Sequence, residues 1–230
     1  MAIRYQLNCL DRNIKYINDM LDRLESNPFN YRTMREFWII QTLNDQQRGM
    51  YNEKSNRCEH RIVSISQPHV RPIVRGKQGK KVEFGAKLGL TLDEGFVKAQ
   101  TISYDAYNEN ADLIPHVLAY KELHGYYPEL VQVDKIYGSN KNRAWCKQHN
   151  IRMTVVPKGK SKKMTAREKK KYRTELSEPN AVEGKIGQAK QGYGLNNVKA
   201  KLKNTSMSWI GATLLIPNLI KFAEFHGFAF

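Results

Sequence analysis

Two carboxylates and one lysine between Pro128 and Leu195 have types and spacing suited to metal-assisted chemistry on a phosphodiester. Asp134 closes a short apolar run, Leu130-Val131-Gln132-Val133, of the kind that forms a buried strand. Glu183 lies 49 residues further on (183 minus 134), at the start of a run with helical character. Lys190 follows Glu183 by seven residues, close to two helical turns, so the two side chains share a face to within about 20°. A carboxylate at a strand end, a second on a later helix and a lysine below it supply hard oxygen ligands for Mg²⁺ and a cation for a phosphate. Taken singly, each has a plainer reading. A strand-end Asp is most often a cap, a helical Glu a solvated group and a lysine surface charge.

The elements that must position these residues can be read along the chain. Leu7, Leu10, Ile14, Ile17, Leu21 and Leu24 are spaced by three and four, which predicts an amphipathic helix over residues 3–25, ended by Ser26-Asn27-Pro28. A second helical run covers about Thr33 to Asn56 and completes a helical hairpin. Such a hairpin is an insertion, a dimer contact, a DNA-facing arm, or simply a pair that packs on the core. Arg61 to Ile65 alternates like a strand. Lys81 to Leu92, the turn Asp93-Glu94-Gly95 and Phe96 to Tyr104 predict a β-hairpin. Asn110 or Asp112 can cap a helix running to His124. A strand at 130–133, a short helix from Asn140 to His149 and a strand from Ile151 to Val156 follow, then mostly helix from Asn180, with a break at Asn196-Asn197. This order predicts an α/β layered domain.

Composition narrows the partners. The chain has 230 residues, 40% of them hydrophobic, enough to bury a core. Its formal net charge is +16 and its pI about 9.7, which favours a polyanion. Nine of the sixteen residues from Lys158 to Arg173 are Lys or Arg, among them Lys160, Lys162, Lys163, Lys169, Lys170 and Lys171. That run is a solvated loop or a DNA-backbone contact, and one loop can be both. Cys9, Cys58 and Cys146 are far apart and form no CxxC, which argues against zinc and against a disulfide framework. His69 and His116 stand at no ligand spacing. Tyr137, Trp145 and Cys146 read as core, and Asn108 and Glu109 as structural. The polar N-terminus reads as no signal peptide, and the apolar stretch Trp209–Ile220 is too short to span a bilayer. The expected location is cytoplasmic, on the chromosome.

Several segments, in order, resemble the catalytic domain of DDE-type insertion-sequence transposases. They are RIVSISQPHVRPIVRGK (61–77), VEFGAKLGL (82–90), YDAYNE (104–109), VDKIYGSNKNRAWCKQHNIR (133–152), NAVEGKIGQAKQGYGL (180–195) and ATLLIPNLIK (212–221). The resemblance implies an RNase H-like fold with a five-stranded mixed sheet flanked by helices. It assigns residues 58–230 to an incomplete catalytic domain, and the helical hairpin at 1–57, an insertion or arm, stands outside the family pattern. It also implies that three carboxylates hold two Mg²⁺ ions, with Mn²⁺ as an alternative, that cut the transposon end and let its 3′-OH attack target DNA. Asp134 matches the second acidic residue, Glu183 the third, and Lys190 the lysine that contacts DNA near the cleaved bond. The partners implied are double-stranded DNA at transposon ends and target, and a homodimer or a mixed oligomer with intact transposase.

The chain departs from the family pattern at three points. The first acidic residue has no counterpart, because Arg61–Ile65 contains no Asp and the best substitute, Asp105, belongs to the YDAYNE motif. Pro179 and Leu176 stand where the family often has an arginine and a tyrosine before the glutamate. The expectation is therefore a partial transposase that is inactive alone. The alternative is a non-catalytic DNA-binding or regulatory remnant.

Overall fold

The computed structural model describes residues 2–74, 82–155, 165 and 179–227. The chain divides into two compact units, one formed by Met1–Ala86, Tyr104–Ala106 and Lys201–Lys203, the other by Lys87–Ser103, Tyr107–Ala200 and Asn204–Phe230. Among the described residues both helices and short strands occur, so the chain is a mixed α/β protein with a helical hairpin at its N-terminal end.

In the first unit, α1 (Ala2–Leu21) and α2 (Tyr31–Asn52) form that hairpin. Helix α1 stops four residues before the predicted end, at a turn continued by hydrogen bonds from Asp22 and Arg23 back into the helix. Asn30 caps α2 by accepting from the Thr33 amide at 2.9 Å. The two helices are locked by polar groups. Asn44 donates to Asp11 at 2.6 Å, and Arg48 reaches both Asp11 and Asn8. The pairings 11 with 44 and 8 with 48 fix an antiparallel register. Leu7, Phe37, Ile39 and Met50 are buried.

Arg61–Ile65 is not a strand, contrary to its alternation. The Ile62 amide donates to the Gln46 side chain on α2 at 2.9 Å instead of to a ladder, and Ile62 is buried while Val63 and Ile65 stay exposed. The strand β1 (Pro72–Val74) pairs antiparallel with β2 (Val82–Phe84). Only part of the predicted Lys81–Leu92 strand is continuous, because Gly85, at φ +137°, separates β2 from β3 (Lys87–Asp93).

In the second unit, β3 and β4 (Phe96–Ser103) form the predicted hairpin. Its two-residue loop, Glu94-Gly95, has φ of 46° and 80°, the positive pair that a right-twisted hairpin prefers. The register slips between Gly89 and Leu90, which leaves Gln100 unpaired. The strand β5 (Leu130–Val131) pairs parallel with β6 (Arg152–Met153). The described strands thus form three separate pairs, and no five-stranded sheet is among them.

Four helices complete this unit: α3 (Leu113–His124), α4 (Asn140–Gln148), α5 (Pro179–Gly192) and α6 (Lys203–Phe225), whose first residue falls in the other unit. Leu113, Val117, Cys146 and Ile151 form a buried cluster, joined by Tyr127, Val131, Val133, Tyr137, Trp145 and Met153. Helix α6 runs through Pro217, which is buried. Next to it, the Asn218 amide replaces a missing strand neighbour. It accepts from the Val97 amide and donates to the Val97 carbonyl, both at 2.7 Å.

Candidate functional site

Asp134 is placed by β5 and by the turn that follows it. The chain leaves the strand with the Val133 amide donating to the Thr154 hydroxyl at 3.1 Å and the Thr154 amide donating to the Val131 carbonyl at 3.2 Å. Asp134 is extended (φ −68°, ψ 161°) and caps a 3₁₀ turn, Lys135–Tyr137, by accepting from the Lys135 amide at 2.5 Å. Its side chain is exposed. Gly138 ends the turn, and a Cβ there would stand 2.6 Å from a Val155 methyl and 3.2 Å from the Lys135 carbonyl. The glycine of this motif is therefore set by space.

A buried amide ties this turn to the next element. Asn142, only 3% exposed, donates from its side-chain nitrogen to the Asn110 carbonyl (2.9 Å), the Asn110 side-chain oxygen (2.8 Å) and the Tyr137 carbonyl (3.0 Å). Asn110 belongs to a second 3₁₀ turn, Glu109–Asp112, which Asn108 caps. Neither predicted cap residue serves α3. Asp112 makes no capping bond, because its carboxylate is turned to the Tyr107 hydroxyl at 2.7 Å. Glu109 pairs with Lys87 at 3.1 Å, so Asn108 and Glu109 both have structural partners. Sequence reading missed Asn142. Three residues behind a serine cap, it looks like any polar first-turn residue.

These groups share one electrostatic neighbourhood. The Tyr137 hydroxyl is pushed up to about 12, first by burial and then by the negative charges of Glu109, Asp112 and Asp134. The Tyr107 hydroxyl is pushed up by burial and by its bond to Asp112. His116, near Thr101, is pulled down by burial, partly offset by Asp112. Tyr137, Trp145 and Cys146 belong to the core as expected, and burial raises the Cys146 thiol.

Glu183 and Lys190 both lie on α5 and both are exposed. The helix lies against β3 and buries Ala189 completely. No hydrogen bond or ion pair joins Glu183 to Asp134 among the described residues. Asp105 is 62% exposed, 4.0 Å from the Arg71 guanidinium, and belongs to the other unit. Lys160, Lys162, Lys163, Lys169, Lys170 and Lys171 lie outside the described residues.

A divalent metal would find hard oxygen donors in Asp134 and Glu183. Among the described residues, however, no three His, Cys, Asp or Glu side chains gather closely enough to hold a metal ion. The donor set present does not fit a two-metal centre. No described helix is long and apolar enough to cross a membrane.

No curated protein and no solved structure matches the chain. The family model described as "Transposase DDE domain" matches residues 131–220, a span that holds Asp134, its turn, Asn142, Glu183 and Lys190. That family acts on DNA and typically uses a divalent metal. Residues 131–220 are therefore similar to a portion of a DDE-type transposase catalytic domain.

Proposed function

We propose that this chain serves DNA transposition by Mg²⁺-dependent phosphoryl transfer, with Asp134 and Glu183 as two of the three acidic residues and Lys190 as the contact to the DNA strand near the bond broken. The observation that carries this reading is the placement of Asp134. It is exposed, at the end of a parallel strand, on a turn anchored by buried groups, and inside the family match. A carboxylate held in this way has little freedom to lose on binding a ligand. In this reading residues 1–57 are an arm and residues 58–230 the catalytic domain. The fold of that domain is RNase H-like in this reading. The lysines from Lys160 to Lys171 lie on the DNA backbone, and the protein works in the cytoplasm on the chromosome, as a homodimer or together with intact transposase.

The same reading makes the chain inactive by itself, since two carboxylates leave a metal pair without its shared ligand. What the chain retains is DNA binding, and a regulatory role follows if it assembles with an active transposase. Calorimetric titration of Mg²⁺ and of Mn²⁺ into the full chain and into Asp134→Ala tests the metal half. Heat common to both proteins, with no cleavage or strand transfer on a labelled duplex, is the expected result. Micromolar binding lost in Asp134→Ala would mean that a usable site exists, and measured strand transfer would overturn the inactive reading. Duplex DNA binding that weakens steeply with salt tests the other half, because each phosphate contact releases about one counterion.

A further inference from the structure

Helix α1 presents two stripes, of which the hairpin uses one. At about 100° per residue, Leu7, Asp11, Ile14 and Asn18 face one side. Asp11 meets Asn44 and Arg48 of α2 there, and Leu7 is buried. A second stripe lies about 80° away, where Ile3, Leu10 and Ile17 repeat at seven residues and Leu24 continues the series into the turn past the helix end. Met20 and Asn13 flank it. Ile3 is 60% exposed, Leu10 40%, Met20 56% and Leu24 51%, while Ile17 is half-buried.

This stripe differs in charge from the rest of the helix. Positions 2, 3, 6, 10, 13, 17, 20 and 24 carry no charged residue, whereas the other positions of 2–24 hold Arg4, Asp11, Arg12, Lys15, Asp19, Asp22 and Arg23. A surface that is to be buried against another protein must avoid unpaired charges, and a solvated helix face has no such need. A repeat of seven residues keeps a stripe facing a second helix along its length. The stripe also complements itself. When two copies run antiparallel about an axis near Asn13, Leu10 meets the partner's Ile17 and the helix dipoles oppose. A parallel pairing sets like helix ends side by side.

We propose that the uncharged stripe of α1 is a self-association surface on which α1 of a second copy docks antiparallel, with Leu10 against the partner's Ile17. The inference supplies the contact surface for the homodimer of the proposed function and rests on that part of the reading. Asn13 lies near the two-fold axis, where its side-chain oxygen accepts from the Arg12 guanidinium at 3.2 Å and its amide N–H is left to face the seam.

The test is sedimentation equilibrium of the full chain at micromolar concentration, with helix content and melting temperature recorded for each variant. The wild type is expected at twice the 26.7 kDa of one chain. Leu10→Glu with Ile17→Glu sets like charges across the seam and is expected to weaken the dimer by about 100-fold or more. Leu10→Glu with Ile17→Lys sets opposite charges across an antiparallel seam and is expected to remain within about tenfold of wild type. Both pairs lie about 80° from the stripe that meets α2, and the helix content and melting temperature report whether the hairpin is retained, since Ile17 is half-buried. A monomeric wild type overturns the inference. So does a dimer insensitive to the Glu pair, or dissociation by the Glu/Lys pair, which signals parallel docking. Leu219→Glu, on the exposed face of α6, is expected to leave the dimer intact, and dissociation there instead of at α1 also refutes the proposal. Duplex binding measured on the same samples separates the two ideas. A monomer that binds DNA sinks only the dimer surface, whereas a dimer that fails to bind DNA sinks the transposition reading.

Discussion

Replacing Asn142 by alanine should destabilise the chain well beyond what a single surface-type residue implies, because its amide joins the Asp134 turn to the 109–112 turn. The side-chain nitrogen shares its two hydrogens among three acceptors at 2.8, 2.9 and 3.0 Å, and the residue is 3% exposed. Two lost hydrogen bonds are worth about 1 kcal/mol each, and stranding the Tyr137 and Asn110 carbonyls adds about 1 kcal/mol more. The total of about 3 kcal/mol corresponds to a fall in melting temperature of roughly 6–12 °C for a chain of this size. Calorimetric melting of wild type and Asn142→Ala at neutral pH measures it. Asn142→Asp provides a sign check, since its carboxylate would face three oxygen acceptors. Its folded pKa is then raised above the unfolded value, so its deficit relative to wild type is small in acid and grows as pH rises through the carboxylate range. A change below about 0.5 kcal/mol in Asn142→Ala, or an Asn142→Asp deficit that shrinks with rising pH, would refute the clamp.

Other predictions follow from the same geometry. Gly138→Ala forces a Cβ to within 2.6 Å of Val155 and should cost about 1–3 kcal/mol by urea unfolding, while Gly187→Ala, which meets nothing within 4 Å, should be neutral or stabilising. Asn218→Ala removes both bonds to Val97 and should cost about 2 kcal/mol, with faster amide exchange at Val97. The Tyr137 hydroxyl, pushed up to about 12, favours the neutral form, so its contribution to stability is full below pH 10 and is lost as pH rises towards 12. Ultraviolet titration of wild type against Tyr137→Phe should show that loss, and Asp134→Asn should lower the midpoint by removing a nearby negative charge. His69 is pulled down by burial and then by Arg71, Lys203 and Arg35, so it contributes stability above its ordinary pKa and loses it as pH falls. His69→Phe should flatten the stability profile on the acid side.

The local elements were largely legible because short-range rules decide them. The β3–β4 hairpin followed from alternation on both sides of Asp93-Glu94-Gly95, and its two-residue loop has the positive φ values that right-twisted strands favour. The α1–α2 hairpin followed from three-and-four spacing and from Pro28. The Arg61–Ile65 strand failed because a strand is defined by its neighbour, and the neighbour that Ile62 finds is a glutamine side chain on α2. The capping role foreseen for Asp112 failed in the same way, since Tyr107 takes its carboxylate.

The order of residue types along the chain therefore determined the charge, the helical and hairpin periodicities, and the acidic residues Asp134 and Glu183 inside the matched family region. These are properties of composition and spacing, which need no partner to be defined. Tertiary structure alone decided that Asn142 bridges two turns, that Gly138 has no room for a Cβ, and that Glu109, Asp112 and Asp134 act together on the Tyr137 ring. Each of these depends on distances between residues far apart in sequence, and no periodicity encodes such distances.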